Sequence, residues 1–489
     1  MVLMKINSKR FVKLSVLILS AVMLFSGCGS KNTASNGSDF VSDEVQDQLV
    51  SDEQEQSKVN GSGNTSSKQQ SGAGTQSNTA ASGKTTFEKD PYSDIPASVK
   101  SKGIHLLLWR DYTKLEKEIV AGFEKKTGIK VRLTKTTEQE YSTKLLSLVA
   151  GNDAPDVVYL ISDNFPGLAV KSMQTLDTKT FRLNDSCWYK DYMDYYKVNG
   201  KYFSVAMAGS WSVEDSNYVT YYMPKVLKAA GVSEDPYTLY KQGQWNWDKQ
   251  KEIANKVALK GGYTGLSMQT NELMMYSAGV DFVSYNGKQF KNVMDDTASK
   301  SMLTKAWQTV AEMTNSKALS GWNLKDVQQG KVGLFTSILY GMYKDAAFFN
   351  EVPHSSSDIK AVPVAGPKGG TGYTPVRPKT WGVAKKAKNP EGAAYFLRYF
   401  LDVNNCDMSG SFCNEQFREV YNKITSTKDK KAVMLAKGIV DYANKGTYAT
   451  LCSRISNASS SAVSTELNKA KGQITSGLNR ANRDLQKVK

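Results

Sequence analysis

The sequence predicts an α/β fold in which a largely parallel sheet is flanked by helices. Two apolar runs, Ile104–Trp109 and Asp156–Ile161, have the length of a strand and are typical of strands buried on both faces. Residues Ile129–Leu133 alternate between apolar and polar, which predicts a further strand. Helical patterns separate the three segments, and this succession of strands and helices indicates an α/β sheet.

The sequence also predicts two helices and the residues at which they end. The apolar residues that share one face of the first predicted helix are Leu115, Ile119, Val120 and Phe123. We expect this helix to end at Thr127-Gly128, and a second helix, Tyr141–Ala150, to be broken by Gly151–Pro155. In α/β sheets ligands gather beyond the carboxyl ends of the strands, which directs attention to Trp109–Tyr112 and Ser162–Phe165.

The N-terminal region has the pattern of an export signal followed by a tether. Four basic residues precede the apolar run Leu14–Phe25, which is too short to span a bilayer comfortably. Small residues then lead to Cys28, so we expect residues 1–27 to be a lipoprotein signal peptide and Cys28 to be acylated; an ordinary cleaved signal is the alternative. Residues 28–97 are rich in Ser, Gly, Asn and Gln, which predicts a disordered tether before a folded domain at 98–489. The chain is therefore expected on the extracytoplasmic face of the cell membrane, anchored by lipid.

The net charge of +16 at pH 7 suggests a nucleic-acid partner at first sight. The basic residues are interspersed with acidic ones, and no basic run carries aromatic residues that could stack on bases. Together with the export signal, this excludes nucleic acid from the expected partners and favours attraction to an anionic cell envelope.

The sequence offers no metal or catalytic motif. His105 and His354 are far apart and have no Cys or carboxylate cluster beside them, so no metal is expected. There is no Gly-x-Ser-x-Gly motif, and Gly366–Gly370 lacks the spacing of a phosphate-binding loop, so we expect neither an enzyme nor a cofactor. Besides Cys28, the cysteines are Cys187, Cys406, Cys413 and Cys452. The sequence leaves two alternatives for these cysteines, which are a disulfide bridge between Cys406 and Cys413 or free buried thiols.

Ten short motifs follow one another along the folded part of the chain. These motifs are Phe123–Val131, Tyr141–Leu145, Ala150–Val158, Gly200–Phe203, Tyr221–Lys225, Ala230–Val232, Trp245–Asp248, Gln329–Gly333, Val362–Gly370 and Lys385–Glu391. In this order and behind a lipoprotein signal, they resemble the family 1 extracellular solute-binding proteins, the maltose-binding-protein-like group. The chain departs from the family pattern at Met223, where Asn is usual, and in the longer segment Met207–Tyr218.

The resemblance implies a two-lobed periplasmic-binding-protein-like fold of type II, each lobe a mixed sheet flanked by helices, with a hinge between them. The first lobe is expected at about 103–212 and 379–425, and the second at about 213–378 and 426–489. It implies a monomeric binding subunit of an ABC importer that closes on a sugar or oligosaccharide and delivers it to the permease in the membrane. The alternatives are a non-sugar solute on the same fold, or a surface sensor or adhesin without transport. A glycoside hydrolase is disfavoured because nothing marks a carboxylate pair.

A saccharide site needs aromatic planes for stacking and polar groups for hydroxyls. Asp163 and Asn164 follow the third strand and align with a sugar-binding stretch of maltose-binding proteins; an Asx turn or helix cap is the alternative. The further expected ligand residues are Trp109, Arg110, Asp111, Trp211, Glu214, Trp322, Tyr340 and Trp381, with core packing as the alternative for the aromatic ones. Trp245 and Trp247 are expected to pack beside a helix cap at Asn246 or Asp248 instead.

Overall fold

The structure is a computed structural model that describes residues 90–112, 114–207, 217–342, 358–368, 372–403, 412–443 and 446–488. The predicted signal peptide, Cys28 and most of the predicted tether lie outside the described residues. Within the described residues, no helix is both long enough and apolar enough to cross a membrane.

Fourteen strands are defined in the described part of the chain, and most are short. They are β1 Ile104–Leu108, β2 Val131–Lys135, β3 Val158–Leu160, β4 Ser204–Val205, β5 Tyr218–Tyr222, β6 Thr264–Met268, β7 Val283–Tyr285, β8 Phe290–Asn292, β9 Leu319–Gly321, β10 Val332–Ile338, β11 Lys360–Val362, β12 Thr374–Val376, β13 Thr380–Gly382 and β14 Lys430–Ala432.

The helices in the described ranges are numbered in the same way. They are α1 Ala97–Lys100, α2 Lys114–Thr127, α3 Tyr141–Ala150, α4 Gly167–Ser172, α5 Thr178–Phe181, α6 Lys190–Met193, α7 Pro224–Ala229, α8 Pro236–Lys241, α9 Trp247–Lys260, α10 Leu273–Ser277, α11 Thr297–Asn315, α12 Leu324–Gln328, α13 Pro390–Val403, α14 Glu415–Ser426, α15 Leu435–Ala443, α16 Thr447–Ser456 and α17 Val463–Leu485.

The first sheet contains the three strands that the sequence predicts. β1 pairs with β2 in parallel, and a parallel bridge between Leu106 and Val157 joins β1 to the segment that enters β3. β13 then pairs antiparallel with both β3 and β4, so the sheet is mixed. All five residues of β1 are buried, as expected for a strand covered on both faces.

The second sheet has the strand order β11-β5-β10-β6-β9. β10 runs parallel to β6, which runs parallel to β9, while β5 is antiparallel to both β10 and β11. Every residue of β10 is buried, and the Tyr221 and Phe335 rings of adjacent strands stack at 5.0 Å. The prediction of an α/β fold with mixed sheets and flanking helices is thus confirmed.

Three chain segments pair side by side outside the two sheets. β12 pairs in parallel with β14, and an antiparallel bridge links Val376 to Asn217. Asn217 is fully buried: its side-chain oxygen accepts a hydrogen bond from the Tyr192 hydroxyl at 2.6 Å, and its carbonyl accepts one from the Leu339 N–H at 2.8 Å. This side chain and backbone therefore tie the residues before β4 to the end of β10.

The end of the first predicted lobe packs in an unexpected place. Helix α14 lies within the predicted range 379–425 apart from its last residue, yet it contacts β11 at the edge of the second sheet. The Gln416 side chain bonds both the N–H and the carbonyl of Ala361, at 2.9 and 2.5 Å, and the Asn414 amide donates to the Ile359 carbonyl. These contacts attach α14 to the second sheet, where it covers an otherwise open strand edge.

The predicted structural role of the Trp245–Trp247 pair is confirmed. Both indoles are 1% exposed, and their N–H groups donate to the carbonyls of Pro363 and Ala365, each at 2.9 Å. Between them, the Asn246 side chain accepts from the N–H three residues on and caps α9.

Two of the cysteines can be placed with free thiols. Cys187 lies 3.8 Å from the Arg398 guanidinium, and Cys452 is buried in α16, where burial raises the pKa of its thiol. Cys406, one half of the predicted bridge to Cys413, lies outside the described residues, so that pairing stays a prediction.

Candidate functional site

Asp163 lies at the carboxyl end of β3 in a 3-10 turn, Ser162–Asn164, and its side chain is only 8% exposed. Its Oδ1 accepts a hydrogen bond from Arg377 Nε at 3.2 Å, and its Oδ2 accepts from Arg377 Nη2 at 3.2 Å and from Lys437 Nζ at 2.9 Å. Arg377 Nη2 also donates to Glu138 Oε1 at 3.0 Å. We call these four residues, Glu138, Asp163, Arg377 and Lys437, the ion cluster.

The ion cluster contains two carboxylates and two cations, whose side chains are between 8% and 25% exposed. Burial by itself raises the pKa of Asp163, but the charges and hydrogen bonds of Arg377 and Lys437 outweigh burial and hold the pKa well below its ordinary value. For Lys437 burial lowers the pKa, and the Asp163 carboxylate more than restores it. Since each charge is paired, the cluster can be buried without an isolated ion.

Asn164 points its polar group toward helix α3. Its side-chain oxygen accepts a hydrogen bond from the Ser142 hydroxyl at 3.1 Å. This contact fixes the turn after β3 to the start of α3, while the side chain stays partly exposed.

Trp109 and Trp381 come together in a cluster of aromatic rings. Trp109 directly follows β1 and lies 4.2 Å from the ring of Tyr159 and 6.2 Å from that of Trp381, and Trp381 lies 5.1 Å from Tyr159. The two tryptophans are 7% and 3% exposed. Their indole N–H groups are buried and find no hydrogen-bond partner among the described residues. Both nitrogens are shielded from solvent in this structure, so a bound molecule reaches them only if the surrounding side chains move.

Arg110 and Asp111 are both engaged in ion pairs. The Arg110 guanidinium lies over the Trp109 ring, 5.3 Å from its centroid, and bonds both carboxylate oxygens of Glu116 at 2.6 and 3.0 Å. Asp111 is exposed and pairs with Lys135 at 3.0 Å. Arg110 therefore supports one face of Trp109, whereas Asp111 lies on the surface.

The remaining predicted ligand residues belong to the second sheet or lie outside the described ranges. Trp322 directly follows β9, is partly buried and lies 6.1 Å from the Phe335 ring. Tyr340 lies in the 3-10 turn Leu339–Met342 that follows β10, and the structure describes its backbone alone. Because β9 and β10 both run parallel to β6, these two positions share the carboxyl edge of the sheet. Trp211 and Glu214 lie outside the described residues.

Sequence reasoning missed Glu138, Arg377 and Lys437. Arg377 directly follows the buried strand β12, and Lys437 is a cation within the apolar helix segment Leu435–Val440. A charged residue inside an apolar segment is the signal that was available, since such a residue is rarely buried without a partner. The signal does not reveal the partner, because Asp163 is separated from Arg377 by 214 residues and from Lys437 by 274.

Comparison with solved structures identifies the architecture. The galacto-N-biose/lacto-N-biose I-binding protein of Bifidobacterium longum superposes with a TM-score of 0.59 at 15% identity, covering 78% of this chain and 97% of that one. The cyclic alpha-maltosyl-1,6-maltose binding protein of Arthrobacter globiformis gives 0.56 at 15% identity, covering 77% and 100%. An extracellular solute-binding protein of Staphylococcus aureus in complex with maltose gives 0.55 at 15% identity, covering 79% and 99%. The predicted two-lobed binding-protein fold is thereby confirmed.

The sequence matches a protein family. No curated protein matches the sequence. The model of the bacterial extracellular solute-binding proteins matches residues 109–403, which is more than half of the chain. The chain therefore belongs to the family of bacterial extracellular solute-binding proteins.

Proposed function

We propose that this protein is the substrate-binding subunit of an ABC importer, and that it captures a sugar or oligosaccharide between two lobes and delivers it to the membrane permease. The observation that carries the sugar assignment is the ring cluster of Trp109, Tyr159 and Trp381, with two indole N–H donors that lack a partner among the described residues. Aromatic planes match the C–H faces of a sugar, and N–H donors match its hydroxyl oxygens. Capture requires no reaction, so no enzyme activity is proposed.

The lobes in this proposal follow the two sheets. The first lobe holds the sheet of β1–β4 and β13, and the second holds the sheet of β5, β6 and β9–β11. The helix α14 is assigned to the second lobe because it binds the edge of β11. The segments through Asn217, β12 and β14 serve as the hinge, since they pair side by side and the chain passes through Asn217 and β12 as it crosses from one sheet to the other.

The ligand contacts proposed from the first lobe are Asp163, Asn164, Trp109 and Trp381, with Arg110 and Asp111 beside them. From the second lobe, Trp322 and Tyr340 follow strands whose carboxyl ends share one edge. Trp211 and Glu214 precede the first hinge segment in the sequence and complete the proposed set. Contacts from both lobes are what a closing site needs.

The same proposal includes attachment to the membrane. Residues 1–27 act as a lipoprotein signal, Cys28 carries the lipid, and residues 28–97 hold the monomeric binding domain away from the bilayer. Mass spectrometry of the membrane-extracted protein tests this: a diacylglyceryl mass on the peptide that begins with Cys28 is expected. A Cys28→Ser variant that stays in the membrane fraction argues against the anchor.

The ligand class is tested by thermal unfolding of the mature chain with separate panels of mono- and oligosaccharides, amino acids, polyamines and phosphate. A ligand present at about 100 times its Kd stabilises the folded state by about 2.7 kcal/mol, which raises the midpoint measurably. A shift with one class of glycan supports the proposal. A shift with a non-carbohydrate solute alone retains the binding protein and rejects the sugar, and no shift with any solute favours a sensor or adhesin.

A further inference from the structure

We propose that Lys437, together with Arg377, positions the Asp163 carboxylate for ligand capture and couples it to helix α15. This inference rests on the proposed function, because it assigns roles at the same ligand site. Neither cation is required to touch the ligand in this arrangement; both act through Asp163.

The ion cluster joins three parts of the chain that are distant in sequence. Asp163 comes from the turn after β3, Arg377 from the residue after β12, and Lys437 from the first turn of α15. The Arg377 guanidinium donates to both carboxylate oxygens, and Lys437 donates to Oδ2. Because a carboxylate can accept about four hydrogen bonds, Asp163 keeps capacity for a ligand hydroxyl while its plane is fixed.

Helix α15 lies directly on the turn that carries Asp163. A Cβ atom placed on Gly438 would be 2.2 Å from the Phe165 carbonyl oxygen and 2.6 Å from that of Ser162. Glycine is therefore required here for the helix to approach the backbone so closely. The approach places Lys437, the preceding residue, beside the carboxylate.

Helix α15 is also held by Asp281, which precedes β7, and by the C-terminal helix α17. The Ala436 N–H donates to the buried Asp281 carboxylate at 3.3 Å, and α15 packs along α17. The Lys437–Asp163 ion pair consequently links this helical layer to the end of β3. A ligand that moves Asp163 will move or strain α15, and the position of α15 in turn sets the orientation of Asp163.

The charged groups around Asp163 predict how the Kd for a ligand changes with pH when Lys437 is replaced. The charged and titratable groups around it are Arg377, Lys437, Glu138, Asp441 and Tyr196. The two cations keep its pKa well below the ordinary value, so it stays ionised in mildly acidic solution. Removing Lys437 leaves Arg377 as the one cation of the ion cluster that opposes burial and the nearby Asp441, which both raise the pKa of Asp163.

The test compares Lys437→Met with Lys437→Arg, which keeps the charge, and with Lys256→Met, which removes an exposed helix cation paired with Glu252. Calorimetry gives the Kd of whichever solute raises the unfolding midpoint, at pH 7 and pH 4. For Lys437→Met we expect Kd to rise about threefold at pH 7 and about tenfold or more at pH 4, as protonation removes the ionised acceptor. Lys437→Arg and Lys256→Met are expected to match the wild type within about twofold at both pH values.

A double-mutant cycle separates positioning from direct contact. In the Asp163→Asn background, Lys437→Met should change Kd no further, because its only route to the ligand is the carboxylate. An equal loss in both backgrounds means that Lys437 contacts the ligand itself and overturns the inference. Gly438→Ala, which displaces α15 without altering charge, should weaken binding equally at pH 7 and pH 4.

The outcomes also distinguish this inference from the proposed function. If a solute binds and Lys437→Met leaves its Kd and pH profile unchanged, the inference fails and the function stands. If no solute in the panels binds, the proposed function fails and the inference fails with it. A lowered unfolding midpoint with an unchanged Kd assigns Lys437 a structural role alone, and that result also rejects the inference.

Discussion

We predict that one buried group, the imidazole of His105, lowers the stability of the folded protein at acid pH. It lies in β1, is 4% exposed, and shares a hydrogen bond of 2.8 Å between its Nε2 and the Thr134 hydroxyl of β2. Burial and the positive charge of Arg132 lower its pKa from 6.5 to about 4, while Asp153 opposes them only in part. The neutral imidazole is therefore the form that the folded protein favours.

The magnitude follows from the linkage between protonation and folding. Because the pKa in the folded state is the lower one, the stabilisation is present above pH 6.5 and is lost as the pH falls through about 4. Between pH 7 and pH 4 this single group removes about 3 kcal/mol from the free energy of unfolding. That amount is a large fraction of the stability of an ordinary domain.

Two measurements check the prediction. The sequence contains only two histidines, so the imidazole signals can be followed individually by NMR, and one of them should titrate near pH 4. Urea unfolding should show that the wild type loses about 3 kcal/mol more than His105→Gln between pH 7 and pH 4. A His105 signal that titrates near 6.5, or equal pH slopes for the two proteins, refutes the reasoning.

Three further substitutions test the fold by urea unfolding at pH 7. Tyr192→Phe removes the hydroxyl that donates to Asn217 and should cost about 1 to 3 kcal/mol, since a buried acceptor loses its partner; an unchanged free energy of unfolding would contradict this expectation. Asn246→Ala removes the cap of α9 and should cost about 1 kcal/mol, whereas Asn246→Asp should restore most of it. Gly265→Ala places a Cβ 2.1 Å from the Ala254 carbonyl oxygen and should cost about 1 to 3 kcal/mol; a neutral effect would contradict the close helix–sheet packing.

The local structure of the first sheet was predictable because periodicity and turn residues agree there. Helix α3 has the predicted bounds, and β1 ends one residue before the predicted end. The second strand begins at Val131 and not at Ile129, because Gly128 has φ +74° and the Ile129 N–H bonds the Thr127 hydroxyl. These turn contacts delay the strand by two residues, and apolar alternation alone does not encode them.

The candidate site was predictable only in part, because its charges come from distant segments. The sequence predicts that Asp163 follows a buried strand, and the structure places it there; its contact with a ligand stays a prediction. The pairing with Arg377 and Lys437 depends on where β12 and α15 lie, and their placement is set by tertiary packing. Likewise, the contact between Trp109 and Trp381 arises because β13 returns to pair with β3. Neither contact has a local sequence signal.

The central claim is that two lobes close on a saccharide, and small-angle scattering of the mature chain tests it most directly. Scattering is recorded without ligand, with a saturating glycan from the thermal panel, and with a saturating amino acid as the control. The account predicts that the radius of gyration falls with the glycan and is unchanged by the amino acid. A glycan that binds without changing the radius of gyration contradicts closure, and contraction with the amino acid alone contradicts the sugar assignment.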